Sequence, residues 1–86
     1  MKIGAAVIIC NKRKSEKNLP IFGRVNPEPV FLNASKSCKF KNGEVGIVIS
    51  EKRLWESFPH ESNYAFIMVL TSRGSYWFRE NNLEEM

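Results

Sequence analysis

The chain has no aspartate and no glutamine, and its 86 residues include a single histidine, His60. A Ser-His-Asp triad is therefore excluded, and any acid–base chemistry would have to run through glutamates and that one imidazole. Cysteine is nearly as scarce. Cys10 and Cys38 are too few for a disulfide framework and are not spaced as CxxC. Zinc held by Cys10, Cys38, His60 and a glutamate has no ligand spacing in its favour, so no metal and no other cofactor is expected. A Cys38–His60 dyad rests on two residues that nothing in the sequence brings together. Gly43 and Gly46 do not make a phosphate-cradling loop, because the lysine, the third glycine and the following helix are missing. Glu84 and Glu85 are adjacent carboxylates on a terminal turn, where water keeps both ionised. These absences point away from an enzyme and towards a binding module.

Long apolar runs are missing too. Residues 3–10 are too short to span a bilayer and lack a small-residue cleavage site, so neither a membrane segment nor an export signal is expected. Two thiols in such a chain read as buried free cysteines of a reducing cytoplasm. No internal repeat, no amphipathic helix of three turns and no linker interrupts the chain, so residues 1–86 read as one domain. A domain this short buries only about 60–65% of its unfolded surface, which makes nearly every large apolar side chain necessary to its core.

What is present is β-pattern. Residues 3–10 are rich in β-branched side chains, and the polar run 11–18 after them has no periodicity. Residues 11–39 form a long irregular insertion in which Pro20 and Gly23 interrupt regular structure, with one short strand expected at Val30-Phe31-Leu32. Asn42-Gly43 signals a turn into a strand from Glu44, which sets Val45, Ile47 and Ile49 on one face and Gly46 opposite, at a bulge or a close backbone approach. The segment from Arg53 to Phe58 is read as one helical turn ended by Pro59. Tyr64 to Thr71 is the strongest strand, joined through Ser72-Arg73-Gly74 to an aromatic strand at 75–79. A closing turn is expected to plug the core with Leu83 and Met86.

The stretch Phe40-Lys41-Asn42-Gly43-Glu44-Val45-Gly46-Ile47-Val48-Ile49 resembles the glycine-bearing strand of SH3-like barrels of the KOW type. The hairpin and terminal turn over residues 64–86 resemble the end of such barrels, and Met1-Lys2-Ile3-Gly4 is similar to the first strand of small barrel proteins encoded by tailed phages. The resemblance covers about half the chain and implies a mostly-β fold: one small five-stranded SH3-like barrel with an irregular insertion after its first strand. The acidic and aromatic loop residues with which signalling SH3 domains hold proline-rich peptides are not recognisable, so that activity is not implied.

Charge is unevenly spread. Residues 1–53 carry eleven Lys and Arg against four Glu, whereas residues 54–86 carry two Arg against five Glu. Two sets of binding residues follow. For docking on a protein partner, or for self-association, the candidates are Lys52, Arg53, Trp55, Phe58 and His60 in the mixed basic and aromatic segment, with Trp77 and Arg79 on the aromatic hairpin. For nucleic acid or nucleoprotein they are Lys12, Arg13, Lys14, Lys39, Lys41, Lys52 and Arg53 on phosphates, with Trp55 stacking on bases. Placement separates the two: convergence of the basic residues favours nucleic acid, and scatter favours protein docking.

Overall fold

A computed structural model of the chain describes residues 1–26, 37–56 and 63–86, with residues 55, 56, 63 and 64 described by their backbone alone. The fold is an antiparallel sheet of eight strands: β1 (Ala6–Ile9), β2 (Ile21–Arg24), β3 (Ser37–Phe40), β4 (Glu44–Val48), β5 (Arg53–Glu56), β6 (Asn63–Thr71), β7 (Gly74–Arg79) and β8 (Leu83–Glu85). The strand order is β3-β2-β7-β6-β4-β1-β8, with β5 paired to β6 beside β4. Short 3₁₀ turns occupy Lys14–Glu16 and Glu80–Asn82.

The mostly-β expectation holds, but the closed five-strand count does not describe this sheet, which is open between β3 and β8. Two of the additional strands lie within the expected irregular insertion. β2 forms directly after Pro20 because its pairing with β3 and β7 supplies the partners that local sequence does not. Gly23 is needed there: a Cβ on it would stand 2.7 Å from the Phe40 ring and 2.8 Å from Cβ of Tyr76. The helical turn expected from Arg53 is instead β5, paired residue for residue with the start of β6. Phe58, His60 and the strand expected at Val30-Phe31-Leu32 lie outside the described residues.

The main core gathers Val7, Ile9, Ile21, Phe40, Val48, Ile67, Val69, Phe78 and Leu83. Strand alternation explains the set, since Val7 and Ile9, and likewise Ile67 and Val69, are two apart and share one side of the sheet. Phe40 meets Phe78 edge-to-face at 4.9 Å and Tyr76 at 5.6 Å. Leu83 plugs this core as expected, but Met86, its expected companion, is 74% exposed. β8 holds the tail extended, so alternation carries Met86 to the opposite face. The cysteines are free and half-buried rather than buried.

On β4 the chain turns its side chains the other way from a simple apolar reading. Gly46 and Val48 face the core, while Val45 and Ile47 point outwards and are 55% and 48% exposed. The close approach expected at Gly46 is present, with Val69 and the Leu70 carbonyl where a side chain would stand.

Candidate functional site

The polar run after β1 is held by side chains from distant parts of the chain. It leaves β1 at Cys10 and returns as β2, and three asparagine side chains hold its course. The Asn11 side-chain amide donates to the carbonyls of Glu16 (2.7 Å) and Leu19 (2.9 Å). Asn42, at the turn before β4, accepts from the Asn11 backbone N–H (2.6 Å) and donates to the Lys17 carbonyl (2.5 Å). Asn82 donates to the Asn11 side-chain oxygen (3.0 Å) and to the Cys10 carbonyl (3.3 Å). An amide carries donors and an acceptor on one rigid group, so it satisfies backbone groups that no ladder reaches. Three such groups, from three parts of the chain, fix a loop that has no apolar anchor of its own.

The clamped loop separates three contiguous grooves. One is lined by Lys17, Lys39, Lys41 and Arg73, with Phe40 at its floor and Glu44 as its acid. A second, sharing Lys17 and Asn42 with the first, adds Lys12 and Glu84. The third shares Lys12 with the second and adds Arg13, Arg79 and Glu16. Seven basic side chains thus face three carboxylates around one loop. Two of those carboxylates are already engaged. Glu44 takes both oxygens to Arg73 Nη2 at 2.9 and 2.8 Å, and Glu16 lies 3.8 Å from Arg13. Arg73 is further fixed by a bond to the Lys39 carbonyl and by the Phe40 ring, whose centroid lies 4.0 Å from its guanidinium carbon. Among the described residues, Lys12, Lys14, Lys17, Lys39 and Lys41 have no carboxylate in ion-pair contact.

Four of the expected nucleic-acid contacts, Lys12, Arg13, Lys39 and Lys41, therefore line these grooves. Lys14 sits exposed on the loop between them. Lys52 and Arg53 do not join them: Lys52 reaches Glu80 at 3.9 Å, and the Arg53 guanidinium lies 5.7 Å from the Trp77 ring centre on the outer face of the sheet. The backbone of Trp55 pairs with Tyr64; its side chain lies outside the described residues. Of the protein-docking set, Arg53, Trp77 and Arg79 share that outer face, because β5, β6 and β7 place them in register around Phe66 and Met68.

Lys17, Arg73 and the three asparagines were not singled out from the sequence. Asn42-Gly43 signals a turn, but Asn11 and Asn82 are 71 residues apart and no local pattern announces their bond. Conversely, Arg24 counts towards the basic surplus but lies in the sheet, 6% exposed. Its guanidinium carbon lies 5.3 Å from the Phe66 ring centre, and its Nε has no hydrogen-bond partner among the described residues. Desolvation first, and then the neighbouring Arg79 charge, lower its pKa to about 10.

Cys10 lines the middle groove, and its thiol points at Glu84, 3.8 Å away. Burial first, then the Glu84 charge, push its pKa up; Lys12 opposes them. The thiol is thereby held in its protonated, weakly nucleophilic form. Among the described residues, no group of three or more His, Cys or acidic side chains could hold a metal ion, and no helix is long and apolar enough to cross a membrane. Comparison with known protein families, with curated proteins and with solved structures returns no match.

The clamp makes a direct prediction. Asn42→Ala removes the bonds to Asn11 and Lys17 and leaves those backbone groups to water. Thermal unfolding is expected to show a loss of about 1–2 kcal/mol, with amide exchange accelerated across residues 11–19 and unchanged in β6 and β7. Unchanged exchange in the loop would mean that the clamp does not order it.

Proposed function

We propose that the chain is a non-enzymatic interaction module that binds nucleic acid through the phosphate backbone. One observation carries this reading: around a loop held by three asparagines, Lys12, Lys17, Lys39 and Lys41 line grooves that join one another, Lys14 stands exposed on the loop itself, and none of the five has a carboxylate partner among the described residues. Clustered ammonium groups raise the local potential and attract polyanions, and fixing the loop beforehand lowers the ordering cost of binding. Because the clamp uses the side chains of Asn11, Asn42 and Asn82, few groups are left for reading base edges. Contacts of this kind position a nucleic acid without selecting its sequence. The KOW-type strand supports the same reading, since its turn supplies Asn42 to the clamp and its first residues supply Lys41 to the groove. An SH3-like origin for the open sheet belongs to this proposal.

Labelled single- and double-stranded oligonucleotides, titrated at two salt concentrations, test it. Five lysine–phosphate contacts give a slope of about −4.5 in log affinity against log salt on a duplex and about −3.5 on a single strand, hence losses of about 500-fold and about 130-fold over a fourfold rise in salt. Absence of binding to either form at low salt would end the reading. The exposed apolar residues on the outer side of β4 favour a second reading, association with protein, through a different surface.

A further inference from the structure

Arg24 is a buried cation without a counter-charge. It is 6% exposed, and its Nε has no hydrogen-bond partner among the described residues. No carboxylate among those residues is in ion-pair contact with it. A guanidinium taken out of water loses its hydration, and folded proteins ordinarily set an acid against it. Phe66, whose ring centre lies 5.3 Å from the guanidinium carbon, offers only the face of a ring.

The strand register brings two more guanidinium groups to the same place. Arg24 stands opposite Trp77 of β7, and its side chain reaches across to Phe66 of β6. Arg53 stands opposite Phe66 from the β5 side, and its side chain reaches the other way, to 5.7 Å from the Trp77 ring centre. The two side chains therefore converge over the diagonal between Phe66 and Trp77. Arg79 is opposite Phe66 on β7, and after desolvation its charge is the second cause that lowers the Arg24 pKa. Glu80, the acid next to Arg79 in sequence, lies 3.9 Å from Lys52. Arg79 also lines the third groove and Arg53 is exposed, so the cluster meets solvent at both ends.

We propose that Arg24, Arg53 and Arg79 form a site for a dianionic phosphate monoester. Three neighbouring cations repel one another, and an anion of two charges relieves that repulsion better than a carboxylate of one. The planar fork of each guanidinium fits phosphate oxygens in pairs, which an ammonium group cannot do. The phosphodiesters proposed for the clamped loop carry one charge each and meet lysines, so the two sites take different ligands. This one does not depend on the nucleic-acid reading.

Calorimetry and nitrogen-15 spectra of the whole chain, titrated with inorganic phosphate, adenosine 5′-monophosphate and acetate, test it. One equivalent of either phosphate is expected to bind and to move the Arg24 Nε–H resonance, with acetate much weaker. Tighter binding of the nucleotide would identify a nucleotide as the source, and equal binding the phosphate group alone; either supports the site. Arg24→Met is expected to lower phosphate affinity about thirtyfold or more. In phosphate-free buffer the same variant is expected to be at least as stable as the wild type, because it removes an unpaired buried charge. Arg53→Gln, at an exposed position that the fold does not need, is expected to weaken binding about two- to fivefold. The pair Lys17→Glu and Lys41→Glu, on the other two grooves, is expected to leave phosphate binding in place while oligonucleotide binding falls. An Arg24 resonance that stays still overturns the proposal, as does phosphate affinity indifferent to Arg24→Met and Arg53→Gln. Acetate binding as tightly as phosphate overturns the dianion, and phosphate binding lost in the lysine pair would assign it to the loop instead.

Discussion

Replacing Gly46 by alanine, the smallest substitution available, is expected to cost about 3 kcal/mol or more, a large share of what a small domain possesses. The reason is local and severe. The added Cβ would overlap Val69 and would stand 2.7 Å from the Leu70 carbonyl oxygen. A side chain can rotate away; a carbonyl within a ladder cannot. Nor can Gly46 itself retreat, because β4 is bonded to β1 on one side and to β6 on the other. The strand must either shift against both neighbours or lose pairing to one, and Val48, two residues on, is part of the core. Denaturant unfolding of Gly46→Ala with and without Val69→Ala separates the contributions. The second change frees the side-chain overlap but not the carbonyl, so it recovers only a fraction of the loss. Gly43→Ala is the useful comparison. Beyond its chain neighbours, no atom of the described residues lies within 4 Å of its added Cβ, but its φ of +97° is unfavourable to a side chain, which is expected to cost about 1–2 kcal/mol. Equal losses at the two positions would show that backbone conformation, not contact, governs both.

Gly46 also shows how far the sequence could be read. Alternation in residues 44–50 identifies a strand, because a period of two needs no tertiary information. It does not say which side is core. Val45, Ile47 and Ile49 look like the buried side by hydrophobicity alone, yet the close approach of β6 at Gly46 turns them outwards. The strands at 64–71 and 74–79 were legible for the opposite reason: apolar groups lie on both sides of β6, so Phe66 and Ile67 are both buried and the assignment of faces matters less. β2 was hidden, since four residues interrupted by Gly23 offer no period to count, and its strand character comes from β3 and β7. β5 reads as a helical turn in the sequence because Leu54 and Trp55 fit either period over so short a segment, and only pairing with β6 decides. The candidate site was legible as a set of charges and not as a place. Lys12 and Lys17 share a groove with Asn42, the neighbour of Lys41, because Asn11 and Asn42 bond across 31 residues. Arg24 is the converse case, a cation that the sheet removes from the surface.

The nucleic-acid reading stands or falls on whether those charges act together, and reversing Lys12, Lys17 and Lys41 to glutamate is the strongest test. The three residues are exposed, and among the described residues none takes part in an ion pair, so their replacement costs the fold little. They line all three grooves between them. Each reversal removes a phosphate contact and adds a repulsion, and together they turn a formal net charge of +4 negative. Affinity for an oligonucleotide at low salt is expected to fall by about a thousandfold or more, at roughly 1–2 kcal/mol for each reversed site, and the residual binding should lose most of its salt dependence. Reversing Lys52 and Arg53 instead, which lie on the β5 side, is expected to change affinity only a few-fold. If both variants lost affinity equally, net charge rather than the clamped loop would be responsible. The slope of affinity against salt distinguishes these outcomes, because it counts the phosphates engaged at one place, whereas a diffuse potential lowers affinity without a defined number of contacts.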